Sequence, residues 1–168
     1  SATILYGDRV FSTADLQAPK LDVRARLSGS LPGIPLAPAS AVITQPGYYR
    51  LTNHLVYTRS TGVAVDIRAN NVVLDLQGFS IVSTAGSSAL TTAVRVEDRY
   101  NVTIRNGIIR GFTFGVMAAG PKDQGHTYQI LDLRLDSNWY FGIWIAGSAS
   151  LVSRCIILDN GGATTAPD

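Results

Sequence analysis

Short apolar segments of strand length recur along the chain, and each is followed by Asn, Gly or Arg. Residues 101–120 read NVTI, NGII and FGVM, separated by polar breaks, and residues 128–147 repeat this arrangement. It begins again at 150–162 and is already present upstream at 70–81. A period of roughly 22 to 30 residues without helical periodicity is typical of a β-solenoid.

The last strand of each repeat gives the clearest register. Residues 64–67, 93–96, 115–118 and 142–145 align with successive offsets of 29, 22 and 27 residues. Because side chains alternate between the two faces of a strand, the alignment predicts columns of stacked side chains. Two inward columns are Val65, Val94, Val116, Ile143 and Ile67, Val96, Ala118, Ile145, and an outward column is Asp66, Arg95, Met117, Trp144.

A second set of strands predicts further columns. Ile104 stacks on Ile130 and Val152, and Ile109 stacks on Leu135 and Ile157. Insertions of variable length fall between strands at 83–91 and 121–126, where such folds place their specificity. The polar columns in this register are Asn106, Asp132, Arg154 and Arg110, Asp136.

The chain divides at residue 41. Residues 1–41 lack the repeat and are expected to form an extended N-terminal arm or cap, whereas residues 42–168 form the β-helix domain. Two strand-like pieces flank Gly7-Asp8 within 3–11. Alternation of apolar and charged residues over 16–27 predicts a half-buried strand, with a short amphipathic helix as the alternative. The proline-rich stretch 28–40 predicts an extended connector.

Composition narrows the function classes. The chain has 168 residues, of which 46% are hydrophobic and 15% charged, with a formal net charge of +2. These values predict one domain with a packed core and no nucleic-acid partner. With no run of 18 apolar residues we expect no membrane insertion. Position 1 is Ser rather than Met, and the small polar start suits the residues after a signal-peptidase cut.

The resemblance to a known superfamily rests on four segments: PGYYRLTNHL, NNVVLDLQGFSI, NVTIRNGIIRGF and FGIWIAG. They resemble the opening coils of bacterial secreted β-helix repeat proteins, in the right-handed parallel β-helix (pectin-lyase-like) superfamily, over roughly residues 42–162. The repeats and the resemblance together predict an all-β chain: a right-handed parallel β-helix of about four to five coils with an extended N-terminal arm. The resemblance also implies secretion or a cell-surface location. Because the superfamily includes lyases, hydrolases, epimerases, tailspikes and adhesins, it leaves function open.

The catalytic motifs of the superfamily do not occur in the chain. Asn-Thr-Asp, Asp-Asp, Gly-His-Gly and Asp-Pro-His are missing, and residues 125–127 keep only the Gly-His of the third motif. His54 and His126 are far apart in sequence and have no evident third ligand, so we expect neither a metal site nor a cofactor. The catalytic residues, if there are any, stay unknown from sequence.

The outward column is the best candidate binding surface. A carboxylate, a guanidinium and an aromatic ring on one face, from Asp66, Arg95, Met117 and Trp144, suit a glycan or another partner. The alternative is a cross-strand ion pair beside a Trp that is covered by other residues. The neighbouring run 139–141 (Trp-Tyr-Phe) is expected to fill a corner of the coil, or otherwise to be an exposed contact patch.

The last coil is the candidate assembly end, with Cys155, Ile157 and Leu158 on it. Cys155 cannot form an intramolecular disulfide and is interpreted as a small buried hydrophobe. After Ile157 no capping helix or strand is evident, and an open strand edge can act as a template for another copy.

The leading hypothesis is therefore a secreted, non-catalytic structural protein that forms a homo-oligomer or filament by end-to-end stacking. The alternatives are a polysaccharide-active lyase, hydrolase or tailspike-like depolymerase, and a glycan-binding module with a polysaccharide as its partner. If the chain continues beyond Asp168, the enzyme hypothesis gains.

Overall fold

The computed structural model describes residues 4–6, 9–11, 33–36, 40–120 and 127–161. The regular elements of these residues are all strands. Their bounds are β1 Ile4–Tyr6, β2 Arg9–Phe11, β3 Ile34–Leu36, β4 Ala41–Ile43, β5 Gly47–Leu51, β6 Leu55–Tyr57, β7 Thr61–Ile67, β8 Val72–Asp75, β9 Ser80–Ser83, β10 Leu90–Glu97, β11 Val102–Arg110, β12 Phe114–Ala119, β13 Tyr128–Asp136, β14 Phe141–Ile145, β15 Leu151–Ser153 and β16 Ile156–Leu158.

The chain consists of two compact units, Ser1–Pro32 and Gly33–Asp168. In the first unit, β1 and β2 pair antiparallel, with Ile4 opposite Phe11, in agreement with the two strand-like pieces predicted there. The strand predicted over 16–27 and the insertion at 121–126 lie outside the described residues.

The second unit is a parallel β-solenoid of about four turns, which confirms the predicted fold. Its first sheet, sheet I, has the strand order β14-β12-β10-β7-β4, and each described pairing in it is parallel. The second sheet has nine strands and bends along its length. The part before the bend is called sheet II and contains β3, β5, β8, β15 and the first halves of β11 and β13. The part after the bend is called sheet III and contains β6, β9, β16 and the second halves of β11 and β13.

The bend between sheets II and III occurs at residues with left-handed backbone conformation. Asn106 (φ 61°), Asp132 (φ 52°) and Arg154 (φ 52°) occupy this position in successive turns. Asn and Asp tolerate positive φ better than other non-glycine residues, because their short side chains hydrogen-bond locally. The column of these three residues was predicted from the register, and the conformation of the corner accounts for Asn106 and Asp132.

The predicted inward columns form part of the core, up to the last turn. Val94 pairs with Val65 and Val116, Val116 pairs with Ile143, and the first three are fully buried. Full burial of such a side chain stabilises the fold by about 1.5–3 kcal/mol. Next to this column the chain needs small residues, because a Cβ at Gly115 would overlap the carbonyl oxygen of Gly142. Close approach of neighbouring turns thus requires glycine there.

Candidate functional site

The outward column of sheet I has the predicted register. Asp66 lies opposite Arg95, Arg95 opposite Met117, and Met117 opposite Trp144. Solvent exposure of the side chains increases along the column from Asp66 to Trp144. Asp66 is buried, Arg95 and Met117 are half-buried, and Trp144 is 46% exposed. The column is therefore polar and ion-paired at one end and aromatic at the other. Its role in binding stays a prediction.

Two arginines hold the buried carboxylate of Asp66. Arg95 donates from Nε (3.0 Å) and Nη2 (2.8 Å), and Arg68 donates from Nε (2.7 Å). Burial alone would raise the pKa of Asp66, but the hydrogen bonds and charges of Arg95 and Arg68 outweigh it and lower that pKa. Asp66 is thus an ionised anchor for two guanidinium groups and not an acid poised to donate a proton.

An exposed aromatic cluster surrounds Trp144. Tyr140 and Phe141 lie 4.6 Å apart between ring centroids, Phe141 and Trp144 lie 6.2 Å apart, and Phe114 contacts both Tyr140 (5.7 Å) and Phe141 (6.0 Å). Tyr140, Phe141 and Trp144 are exposed, and Phe114 is half-buried. These four residues are called the aromatic cluster below. It gives sheet I an apolar edge of stacked and edge-on rings.

The prediction that residues 139–141 fill a corner of the coil is wrong for Tyr140 and Phe141. Phe112 and Asn138, both almost completely buried, occupy the interior of that corner. The Asn138 side chain uses the space to satisfy backbone groups, with Oδ1 accepting from the Phe112 N–H (3.2 Å) and Nδ2 donating to the Ile109 carbonyl (3.3 Å). The two aromatic rings are therefore left on the surface, which was the alternative interpretation of this run.

A polar network around Asp75 on sheet II was not identified from the sequence. The buried carboxylate accepts from Tyr48 Oη (2.9 Å), Arg105 Nε (2.9 Å), the Gln77 N–H (2.8 Å) and Asn106 Nδ2 (3.2 Å). Burial opposes its ionisation, but the hydrogen bonds from Gln77, Tyr48 and Arg105, together with the charge of Arg105, lower the pKa of Asp75. Two of the donor residues, Gln77 and Asn106, have the left-handed backbone conformation of a corner. Polar residues at corner positions were the feature of the sequence that could have indicated this network.

The other predicted polar columns form ion pairs. Arg154 binds Asp132 through Nε (2.6 Å) and Nη2 (2.8 Å) and thereby lowers the pKa of that exposed carboxyl. Arg110 lies opposite Asp136 with Nε 3.2 Å from Oδ1, and Arg134 donates to Oδ2 of the same carboxylate at 2.6 Å. Among the described residues no group of three His, Cys, Asp or Glu could hold a metal ion.

The interior columns reach the surface on the last turn, formed by β14, β15 and β16. Ile109 and Leu135 are fully buried, whereas Ile157, next in that column, is 50% exposed. Val152 is 41% exposed although it stacks on buried Ile130. The described residues do not form a further turn that would cover them.

Of the other assembly-end candidates, Leu158 and Cys155 are half-buried. The prediction that Cys155 is a buried hydrophobe holds only in part, because the residue packs against the core but is half-buried on this last turn. Its Sγ approaches the carbonyl oxygens of Ser153 (3.4 Å) and Ile130 (3.5 Å).

The part of the chain that the structure describes contains no helix of the length and apolarity needed to cross a membrane. Comparisons of the chain with protein-family models, with curated proteins and with solved structures find no match. The β-solenoid implied by the sequence resemblance is present, whereas membership of the pectin-lyase-like superfamily stays a prediction.

Proposed function

We propose that the chain binds carbohydrate on the outward face of sheet I, with the aromatic cluster as the platform. The observation behind the proposal is the group of exposed, mutually contacting rings at Tyr140, Phe141 and Trp144. Exposed apolar patches of this kind mark binding surfaces, because leaving them in water is unfavourable. Such a surface also fits the extracellular location that the sequence resemblance implies.

The neighbouring polar groups suit a sugar ligand. Sugar rings present apolar C–H faces to aromatic rings and hydroxyl groups to hydrogen-bonding partners. Arg95 donates to Asp66 from Nε and Nη2. Its Nη1 has no partner among the described residues, so it can donate to a hydroxyl group. Met117 lies between Arg95 and Trp144 in the column. Adjacent strands are about 4.8 Å apart, so the column from Arg95 to Trp144 extends roughly 10 Å along the solenoid.

Affinity electrophoresis tests this proposal. The purified chain is run through gels that contain dextran, xylan, alginate or polygalacturonate, and at least one polymer should retard it. Trp144→Ala should bind that polymer roughly three- to tenfold more weakly, because it loses an aromatic contact. Tyr100→Ala is the matched control, since Tyr100 is equally exposed but lies outside the cluster. Unretarded migration in every gel, or an equal loss for Tyr100→Ala, would contradict the proposal.

A second candidate function is end-to-end self-association through the last turn. It is favoured by one column of stacked apolar side chains, which is buried in the middle and exposed to solvent at its first and last residues. The column runs from Ile34 (48% exposed) through buried Tyr49, Leu74, Ile104 and Ile130 to Val152. Stacking of Ile34 of one copy over Val152 of another would cover both ends. Because such a contact is heterologous and does not close, it would produce a fibre.

A further inference from the structure

Sheet III bears a pair of arginines that share one buried carboxylate. Arg134 and Asp136 are two residues apart on β13 and therefore face the same side of the sheet. Arg110 on β11 lies directly opposite Asp136. The Asp136 side chain is only 5% exposed, whereas Arg110 and Arg134 are 51% and 45% exposed. Solvent therefore meets the two guanidinium groups and not the carboxylate beneath them.

Both arginines contact Asp136 through Nε, which leaves their outer nitrogens available. A guanidinium has five N–H donors, so each arginine keeps four on Nη1 and Nη2. Within the described residues these donors have no partner. Arg134 makes a 2.6 Å hydrogen bond, but Arg110 Nε lies 3.2 Å from Oδ1 without the alignment of a hydrogen bond. Arg134 is thus fixed, and Arg110 can turn towards a ligand.

The surroundings do not neutralise this pair. Strands β9, β11, β13 and β16 lie side by side here, and the residues that share the outward columns are uncharged: Ser80, Val82, Ile108, Ile156 and Leu158. Two guanidinium groups and one carboxylate leave a local charge of +1. The Asp132–Arg154 pair differs, because one arginine is matched there by one half-exposed carboxylate.

We propose that Arg110 and Arg134 form a binding site for a tetrahedral oxyanion, a phosphate or sulfate group, with Asp136 as the positioning residue. Two forked donors spaced across neighbouring strands can each contact two oxygens of such a group. The carboxylate fixes Arg134 through a hydrogen bond to Nε and keeps Arg110 Nε at 3.2 Å by charge attraction, so less conformational entropy is lost when the ligand binds. This site is on sheet III and is independent of the carbohydrate surface on sheet I.

Isothermal titration calorimetry at low ionic strength tests the site with inorganic phosphate and inorganic sulfate as probes. The whole chain should bind one of these ions at a single saturable site. Arg110→Gln and Arg134→Gln should each weaken binding about tenfold or more, because each removes charge-assisted hydrogen bonds. Arg154→Gln is the matched control, since it removes the same charge from an exposed arginine outside the site, and its affinity should stay within about twofold of the parent. An equal loss in Arg154→Gln, or no saturable binding, would overturn the proposal.

Two further measurements keep the test decisive. If Arg134→Gln fails to fold, Arg110→Lys retains the charge but loses the fork, and it should still weaken binding several-fold. Unchanged affinity in that variant would overturn the bidentate geometry.

Dextran sulfate, with uncharged dextran as its control, then distinguishes the source of the oxyanion. Binding of dextran sulfate that depends on Arg110 assigns the site to a sulfate ester, and binding of the inorganic ion alone assigns it to a free ion.

Discussion

Asp66 shows how a single residue makes the fold sensitive to pH. Its buried carboxylate accepts hydrogen bonds from Arg68 and Arg95, so the ionised form is favoured in the folded chain. The pKa is therefore lower in the folded state than the ordinary value of 3.8, despite the opposing effect of burial. A lowered pKa means that the unfolded chain binds more protons as the solution becomes acidic. The resulting stability is complete above the unfolded-state pKa and is lost as pH falls through the folded-state pKa.

Substitution of Asp66 should test this linkage. Asp66→Asn should lower the free energy of unfolding at pH 7, because two guanidinium groups lose their carboxylate. The difference from the parent should shrink between pH 5 and pH 3, because protons bind to the Asp66 carboxylate of the unfolded parent before they bind to that of the folded parent. Urea denaturation followed by tryptophan fluorescence across this pH range measures the free energy of unfolding of the parent and of the variant. Asp159→Asn is the control, because Asp159 is exposed and makes no ion pair within the described part of the chain. A difference that is the same at both pH values would contradict the linkage.

The contacts of single residues were only partly predictable from sequence. The offsets of the sheet I strands place Asp66 opposite Arg95, because a parallel register is fixed by which side chains face the core. The contact with Arg68 depends on how a flexible side chain folds back over its own strand, and no sequence spacing specifies that. Asp75 was missed for the same reason, since its donors come from four different positions around a corner.

At the scale of elements, two asparagines connect the corners of successive turns. Asn138 and Asn160 are 22 residues apart, and Asn138 Nδ2 donates to Asn160 Oδ1 at 2.9 Å. Asn160 Nδ2 in turn donates to the Leu135 carbonyl at 2.9 Å. Buried backbone groups at a corner have no ladder partner, so the amide side chains supply one. This asparagine ladder connects β11 and β13 to the segment after β16.

Replacement of Asn138 should therefore destabilise the solenoid. Asn138→Leu keeps the branched side-chain shape but leaves the buried Phe112 N–H without its acceptor, which should cost about 1–3 kcal/mol of unfolding free energy. The measurement is chemical denaturation at pH 7. Asn101→Gly is the control, because Asn101 makes a comparable amide contact with Asn71 (2.8 Å) at an exposed position, and glycine keeps its left-handed conformation. Equal losses in the two variants would show that burial of the ladder is unimportant.

The strands were predictable, whereas the surface at the last corner was not. Apolar alternation and polar breaks located β10, β12 and β14, because each strand must turn the same face to the core. Residues 139–141 form an apolar run that could equally fill a corner or cover its outside. The outcome was decided by Asn138, whose hydrogen bonds reserve the interior. The exposed aromatic cluster follows from that choice.

At the scale of the whole solenoid, successive turns keep the same register, and within the described residues the turn formed by β14, β15 and β16 is paired with another turn on one side only. Sheets I and II end at β14 and β15, whose outer backbone groups are unpaired among the described strands. Ile157 and Val152 lie beside these edges with about half of their side-chain surface exposed. A second solenoid turn laid on this surface would pair the backbone and bury the side chains together, as neighbouring turns do within the chain.

Charged substitutions at the two ends should reveal how copies associate. We expect the chain to form species larger than a monomer as concentration rises, measured by sedimentation velocity, and Ile157→Lys should suppress them because it buries a charge in the contact. Ile34→Lys separates two geometries. Head-to-tail stacking uses both ends, so either lysine should shorten the assemblies, whereas a closed pair of last turns would respond to Ile157→Lys alone.

Leu90→Lys controls for the added charge, since Leu90 is 64% exposed but lies on β10, which has a strand on each side. Thermal melting of each variant would show whether a lost assembly reflects a lost fold. A parent chain that remains monomeric at every concentration would remove self-association from consideration and leave the face of sheet I as the functional surface. Fibres that survive Ile34→Lys would rule out the head-to-tail contact, because that geometry requires Ile34 of one copy to lie over Val152 of the next.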